Sequence, residues 1–150
     1  MAIKRQTIID RLIAVLGLIN GTGSYNNNFT DKIFEFKQNE FKSDELPGMS
    51  VEDASQDSVE EQSTLYGIYV YDLNVTIRAY CQSAGTTLSV LRKIVSDVQR
   101  ALKTDLTLNG NLMDLKWVGD EFSLEHSEKI TGSVQIKLTL RYQTDSFSDS

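Results

Sequence analysis

One cysteine, one histidine and no apolar run long enough for a bilayer: these scarcities narrow the chemistry open to this chain of 150 residues. A lone Cys81 excludes an internal disulfide and any zinc site built on clustered cysteines. It ends an apolar strand pattern with no base near it in sequence, so it reads as a small packed thiol, not a nucleophile. His126 has no second ligand at metal spacing, which leaves neither a metal nor a cofactor to expect. The apolar run over residues 12–19 falls short of the roughly 20 residues a spanning helix needs. Lys4 and Arg5 ahead of it imitate a secretory signal, but Asp10 and Arg11 interrupt, and no small-x-small cleavage site follows cleanly. No membrane role is expected.

Basic charge is also short. The net charge is −6 and the pI near 4.7, the wrong sign for a protein that grips a nucleic acid backbone through clustered Lys and Arg. It does not argue against a protein that DNA passes without sticking. There is no phosphate-cradling glycine loop and no nucleophile elbow. The carboxylates Glu60-Glu61 and Asp120-Glu121 are sequence neighbours, whose side chains diverge in a strand. No reaction is chosen by these residues, and the expectation is a protein that is not an enzyme.

What is present is organised around residues 86–112. Leu88, Leu91, Ile94, Val95, Val98, Ala101 and Leu102 recur at helical spacing and form one apolar stripe. Thr86 or Thr87 can cap the start. Ser96, Asp97, Gln99, Arg100 and Lys103 are assigned to the opposite, solvent side. The helix stops at Asp105 and passes through Thr107-Leu108-Asn109-Gly110, where Asn-Gly supplies the positive φ of a tight turn. Strand-rich sequence flanks it on both sides, so it is the central element available to cover a sheet.

Residues 3–19 predict a first amphipathic helix with Ile9, Leu12, Ile13, Leu16 and Ile19 on its stripe, ended by Asn20-Gly21. A polar connector follows, then a strand over 29–37. Residues 38–64 read as a long acidic loop, with seven acidic residues and no Lys or Arg from Asp44 to Glu61. Its only strand-like island is Leu46-Pro47-Gly48-Met49-Ser50-Val51. Loops of that length are functional or disordered. From 65 to 81 Leu73, Val75, Ile77 and Ala79 alternate with polar residues, the signature of a sheet with one covered face. Tyr66, Tyr69 and Tyr71 near Gly67 suit a sheet edge or a subunit contact. A strand over 112–124 carries Trp117 and Val118, kinked or turned at Gly119-Asp120. Val134, Ile136, Leu138, Leu140 and Tyr142 mark the last strand, and residues 145–150 a loose polar tail. The sum is one α+β domain over 1–150, with an antiparallel or mixed sheet and two main helices packed on one face.

The run Ala101-Leu102-x-x-Asp105-x-Thr107-Leu108-x-Gly110, followed by Leu138, Leu140 and Tyr142, resembles the tail terminator (minor tail or tail-completion) proteins of long-tailed bacteriophages. Leu46, Pro47, Met49 and Val51 match that family's short Leu-Pro strand, and the opening helix also fits. Asn109 stands where the family has a second glycine, and it still tolerates the turn. The resemblance spans nearly the whole chain. It implies a homohexameric virion ring at the head-proximal end of the tail tube, stopping polymerisation and presenting a surface to the head-completion or connector protein. A sheath would join if the tail contracts, and DNA would pass the lumen unbound. On that reading Glu52, Asp53, Asp57, Glu60 and Glu61 face the channel or tube, Tyr66, Tyr69 and Tyr71 meet a neighbouring subunit, and Asp105, Thr107, Leu108 and Gly110 build the signature turn. Alternatives are a head-side stopper or adaptor on the portal assembly, and a small ligand-binding domain.

Overall fold

A computed structural model describes residues 3–36, 46–59, 68–83, 87–126 and 130–144. The expectations for Glu60, Glu61, Tyr66 and the tail 145–150 lie outside the described residues. The elements are α1 (Lys4–Leu16), β1 (Ile33–Glu35), β2 (Gly48–Ser58), β3 (Tyr69–Ser83), α2 (Thr87–Lys103), β4 (Asp114–His126) and β5 (Ile130–Thr144).

The unbroken alternation in β3 and β5 makes these two strands the centre of the sheet. They pair antiparallel from Tyr69↔Thr144 to Ser83↔Ile130, which sets Leu73 opposite Leu140, Val75 opposite Leu138 and Ile77 opposite Ile136. All six side chains are buried, and burying a Leu, Ile or Val stabilises by roughly 1.5–3 kcal/mol each. Their neighbours Asp72/Arg141, Asn74/Thr139 and Thr76/Lys137 fill the other, polar face. Strand order is β1-β2-β3-β5-β4, with β1 parallel to β2 and the remaining pairs antiparallel. Both helices lie on the apolar face, so the fold is α+β with a mixed sheet. α2 packs over β5 and β3 and beside α1, and reaches β4 least.

β2 replaces much of the expected acidic loop. It runs eleven residues through Glu52, Asp53 and Asp57. Its period was hidden for two reasons. A bulge at Asp53 and Ala54 shifts the register between Glu52 and Ser55, inserting one residue against β3. Beyond it the covered face is occupied by the polar Gln56, opposite Leu73. Gln56 belongs there because the buried Tyr142 hydroxyl donates to its Oε1 at 2.6 Å. Tyr142→Phe should therefore cost about 1 kcal/mol, the usual net worth of one such bond, read as a lower denaturation midpoint with an unchanged slope.

The strand expected over 29–37 is only Ile33–Glu35. Phe29 is buried in the core, its amide bonded to the Ile19 carbonyl at 2.8 Å. At the other end Phe36 takes φ 46, which ends the extended run. In β4 the disturbance expected at Gly119 is a bulge between Trp117 and Gly119, with Val118 the extra residue, 54% exposed.

Two assignments on α2 are corrected. Asp97, placed on the solvent side, is wholly buried, and Leu88, placed on the stripe, is 39% exposed. The two are nine residues apart, so about 180° around the helix at 100° per residue. The buried arc is therefore rotated towards the connector over 20–28. Asp97 accepts bonds from the backbone and side-chain amides of Asn26 and Asn27 at 2.9–3.1 Å. Arg100 beside it donates to the Ser24 carbonyl.

Candidate functional site

The signature turn is built by its own side chains. Asp105 accepts from the Asn109 amide at 2.9 and 3.1 Å and from Arg11 Nε at 2.8 Å. Thr107 Oγ1 accepts from the Gly110 amide at 3.1 Å. Leu108 is buried with φ 45, Asn109 has φ 60 and Gly110 φ 80. Three successive left-handed residues reverse the chain, and glycine carries the largest angle because it has no Cβ to clash. Leu112 then bonds back to the Thr107 carbonyl and Met113 to the Arg141 carbonyl, delivering the chain into β4. Each of Asp105, Thr107, Leu108 and Gly110 thus has a folding role, and Arg11 ties the turn to α1. Asp105 is held below the usual carboxylate range by the Asn109 amide first and the Arg11 guanidinium second.

The acidic residues are not gathered in one place. Glu52 and Asp57 stand on the polar sheet face, Asp53 at the bulge. Glu52 pairs with Arg78 at 3.1 Å and Asp53 with Arg5 at 2.7 Å. Asp57 accepts from Asn74 Nδ2 at 3.0 Å. Nearby, Arg141 makes a two-pronged contact with Asp72 at 2.8 and 3.0 Å. A shallow depression of about 380 Å³ there is lined by Asp57, Asp72, Asn74, Asp114, Lys116 and Arg141. The Asp72–Arg141 pair in it, and the Glu52–Arg78 pair elsewhere on this face, neutralise cations that would otherwise be open to an anion.

The Arg141 hydrogen bond is the main cause of a depressed Asp72 pKa, opposed by burial. A carboxyl with a lowered folded-state pKa adds stability above its unfolded value, near about 3.9, and loses it as pH falls through the folded value. Asp72→Asn should therefore be less stable than the parent at neutral pH, with the gap closing only below about pH 4. Denaturant titrations across that range check it. A gap that persists unchanged into acid would remove the ion pair as its cause.

Tyr69 and Tyr71 begin β3, which is an interior strand, so the sheet-edge alternative for them is corrected. The Tyr71 ring lies 5.6 Å from that of Tyr142, tilted by 34°. Cys81 is buried, and burial pushes its thiol pKa up, which suppresses the reactive thiolate. No helix among the described residues is long and apolar enough to cross a membrane.

The comparison that bears on this arrangement is one of shape. A chain in a solved structure titled "Virion of native gene transfer agent (GTA) particle" shares this fold. The match has a TM-score of 0.52 at 17% identity and covers 91% of this chain and 92% of that one. No protein-family model matches the sequence, and no curated protein matches it. The likeness therefore rests on topology, over nearly the full length of both chains.

Sequence reasoning missed Asp97, whose buried carboxylate holds the connector through Asn26 and Asn27. Asn26-Asn27 was the available signal, since adjacent amides with free backbone N–H groups are natural donors to a carboxylate. It also missed the pairing of Glu52, Asp53 and Asp72 with arginines from other elements. Only Arg141 and Arg78, at matching positions on alternating strands, could have hinted at it.

Proposed function

We propose that the chain is a structural subunit of a phage-like virion, and more closely a ring-forming tail terminator. The observation that carries this reading is the shared fold with a component of a gene transfer agent virion across nine-tenths of both chains. The self-built turn at Asp105 to Gly110 adds to it, because the residues that carry the resemblance have a definite job in this structure. In the ring, subunits repeat head-to-tail about an axis and close, as a heterologous contact must if it is not to grow into a filament.

The polar sheet face suits a surface that DNA passes. Arg78 and Arg141 are each engaged by a carboxylate, so they offer little to a phosphate, and Glu52 and Asp57 keep the local potential unfavourable to it. We propose the channel or tube side for these two and for Glu60 and Glu61, whereas Asp53, paired with Arg5 of α1, is turned towards the helices. Tyr66, Tyr69 and Tyr71 are proposed as a secondary contact with a neighbour at the end of the sheet. The ring would meet tube protein on one side and the head-completion or connector protein on the other.

Mass photometry and negative-stain imaging at micromolar concentrations, with and without tube protein, test the reading. Closed rings that cap tube ends and halt their growth are expected. Monomers alone in both conditions would overturn it, and binding to portal complexes but not to tube ends would make the chain a head-side stopper or adaptor.

A further inference from the structure

The chain contains two Asn-Gly pairs, Asn20-Gly21 and Asn109-Gly110, and the fold surrounds them differently. In such a pair the glycine nitrogen can attack the side-chain amide carbon of the asparagine, because no Cβ stands in its way. The nitrogen gives its proton to hydroxide, a bond forms to Cγ, and negative charge collects on Oδ1. Collapse of that intermediate expels Nδ2 as ammonia, which takes a proton from water, and leaves a cyclic succinimide. Water then opens the ring at either carbonyl, giving aspartate or isoaspartate. Only water and hydroxide take part.

Asn20 is arranged for this attack. It lies just past α1 and is exposed, as are Gly21 and Thr22. Its Oδ1 accepts a bond from the Thr22 amide at 3.1 Å and another from Thr22 Oγ1 at 2.6 Å. The first of these closes a ring of side chain on backbone, and both Cγ and the Gly21 nitrogen are members of that ring. Gly21 accommodates the turn with φ 78, and the isolated bridge between Asn20 and Asn28 keeps the segment in place. Both donors meet the oxygen on which charge develops, which is how a tetrahedral oxyanion is stabilised.

Asn109 is placed to resist. Its side-chain oxygen accepts no hydrogen bond among the described residues. Asp105 instead sets a carboxylate against the Asn109 amide at 2.9 and 3.1 Å, and a like charge opposes an anion forming beside it. The two pairs share a sequence and a left-handed glycine, at φ 78 and φ 80. They differ in what faces the reacting amide.

We propose that Asn20 is a site of spontaneous deamidation in the folded chain, with Thr22 supplying the oxyanion donors, and that the turn at Asn109 is protected. The product bears on the fold. Isoaspartate puts an extra atom in the backbone ahead of Gly21, where the chain leaves α1 for the connector, and so breaks the register of Asn20 with Asn28.

The test incubates the full chain at neutral and at mildly alkaline pH. Peptide mapping with mass spectrometry follows both pairs, reading the amide-to-acid mass gain and separating isoaspartate by elution. Asn20 is expected to convert at least about fivefold faster than Asn109, the rate equivalent of one net hydrogen bond, and faster as hydroxide rises. Thr22→Val removes the hydroxyl and keeps the backbone donor. It should slow Asn20 about fivefold and leave Asn109 unchanged, with circular dichroism confirming that the variant is folded. In denaturant the two pairs of the parent should convert at comparable rates, because the turn is gone. Equal rates in the folded chain, or a lead by Asn109, would overturn the proposal. So would a Thr22→Val rate matching the parent's, or a lead by Asn20 that persists in denaturant.

Discussion

Asp97→Ala is expected to destabilise the fold by about 3 kcal/mol, since hydrogen bonds to a charged group are worth about 1.5–3 kcal/mol and their orphaned donors add a desolvation cost. For a domain of this size that is a fall in Tm of about 6–12 °C, at 2–4 °C per kcal/mol. The carboxylate takes bonds from four separate groups, the backbone and side-chain amides of Asn26 and Asn27, and it is completely buried. Removing it leaves those donors facing a cavity. Asp97→Asn should fall between, because one oxygen survives while the new amide group confronts amide donors. Differential scanning calorimetry reads both. If Asp97→Ala melted within about 1 °C of the parent, well below the shift one lost bond produces, the connector would not depend on this carboxylate.

Gly132→Val is the second large effect. Gly132 lies on β5 opposite Cys81 and Leu124, directly under the first turn of α2. A Cβ there would overlap Thr87 Cγ2 and stand 3.0 Å from Leu91 Cδ1 and 3.3 Å from Leu124 Cδ2. Thr87 is buried and β-branched, so its methyl has little freedom to turn away. Replacing a strand glycine ordinarily gains about 0.5–1 kcal/mol from backbone entropy, whereas overpacking costs about 1–3 kcal/mol or somewhat more. The steric cost wins. Gly132→Ala should lose about 1–2 kcal/mol net and Gly132→Val more, with α2 lifted from the sheet. A neutral or stabilising Gly132→Ala by denaturant titration would mean that α2 is not seated there. Gly119 is the contrasting control, because nothing lies within 4 Å of its would-be Cβ, and Gly119→Ala should change stability little.

Much of the fold was legible beforehand, and the reasons are specific. β3 and β5 each carry an apolar residue at every second position without a break, so their pairing partners hardly matter to recognising them. α2 repeats at 3.6 with a turn of Asn109-Gly110 behind it. β2 was not legible past Val51, because its bulge resets the period and Gln56 occupies a core-facing position that only Tyr142, 86 residues away, makes tolerable. The acidic residues were visible as a cluster, but their partners Arg5 and Arg78 come from other elements, so a cluster in sequence became separate ion pairs in space.

By itself the sequence determined the elements with local period, the left-handed turn after α2, the class of the fold and the absence of basic clustering, because each depends on residues within one or two turns of one another. Tertiary structure alone decided that Asp97 is inside and Leu88 outside, that β2 runs on through the acidic stretch, and that β3 is interior while β4 ends the strand order. Those outcomes turn on which surface covers which, and coverage is a property of residues far apart in the chain that no local pattern encodes.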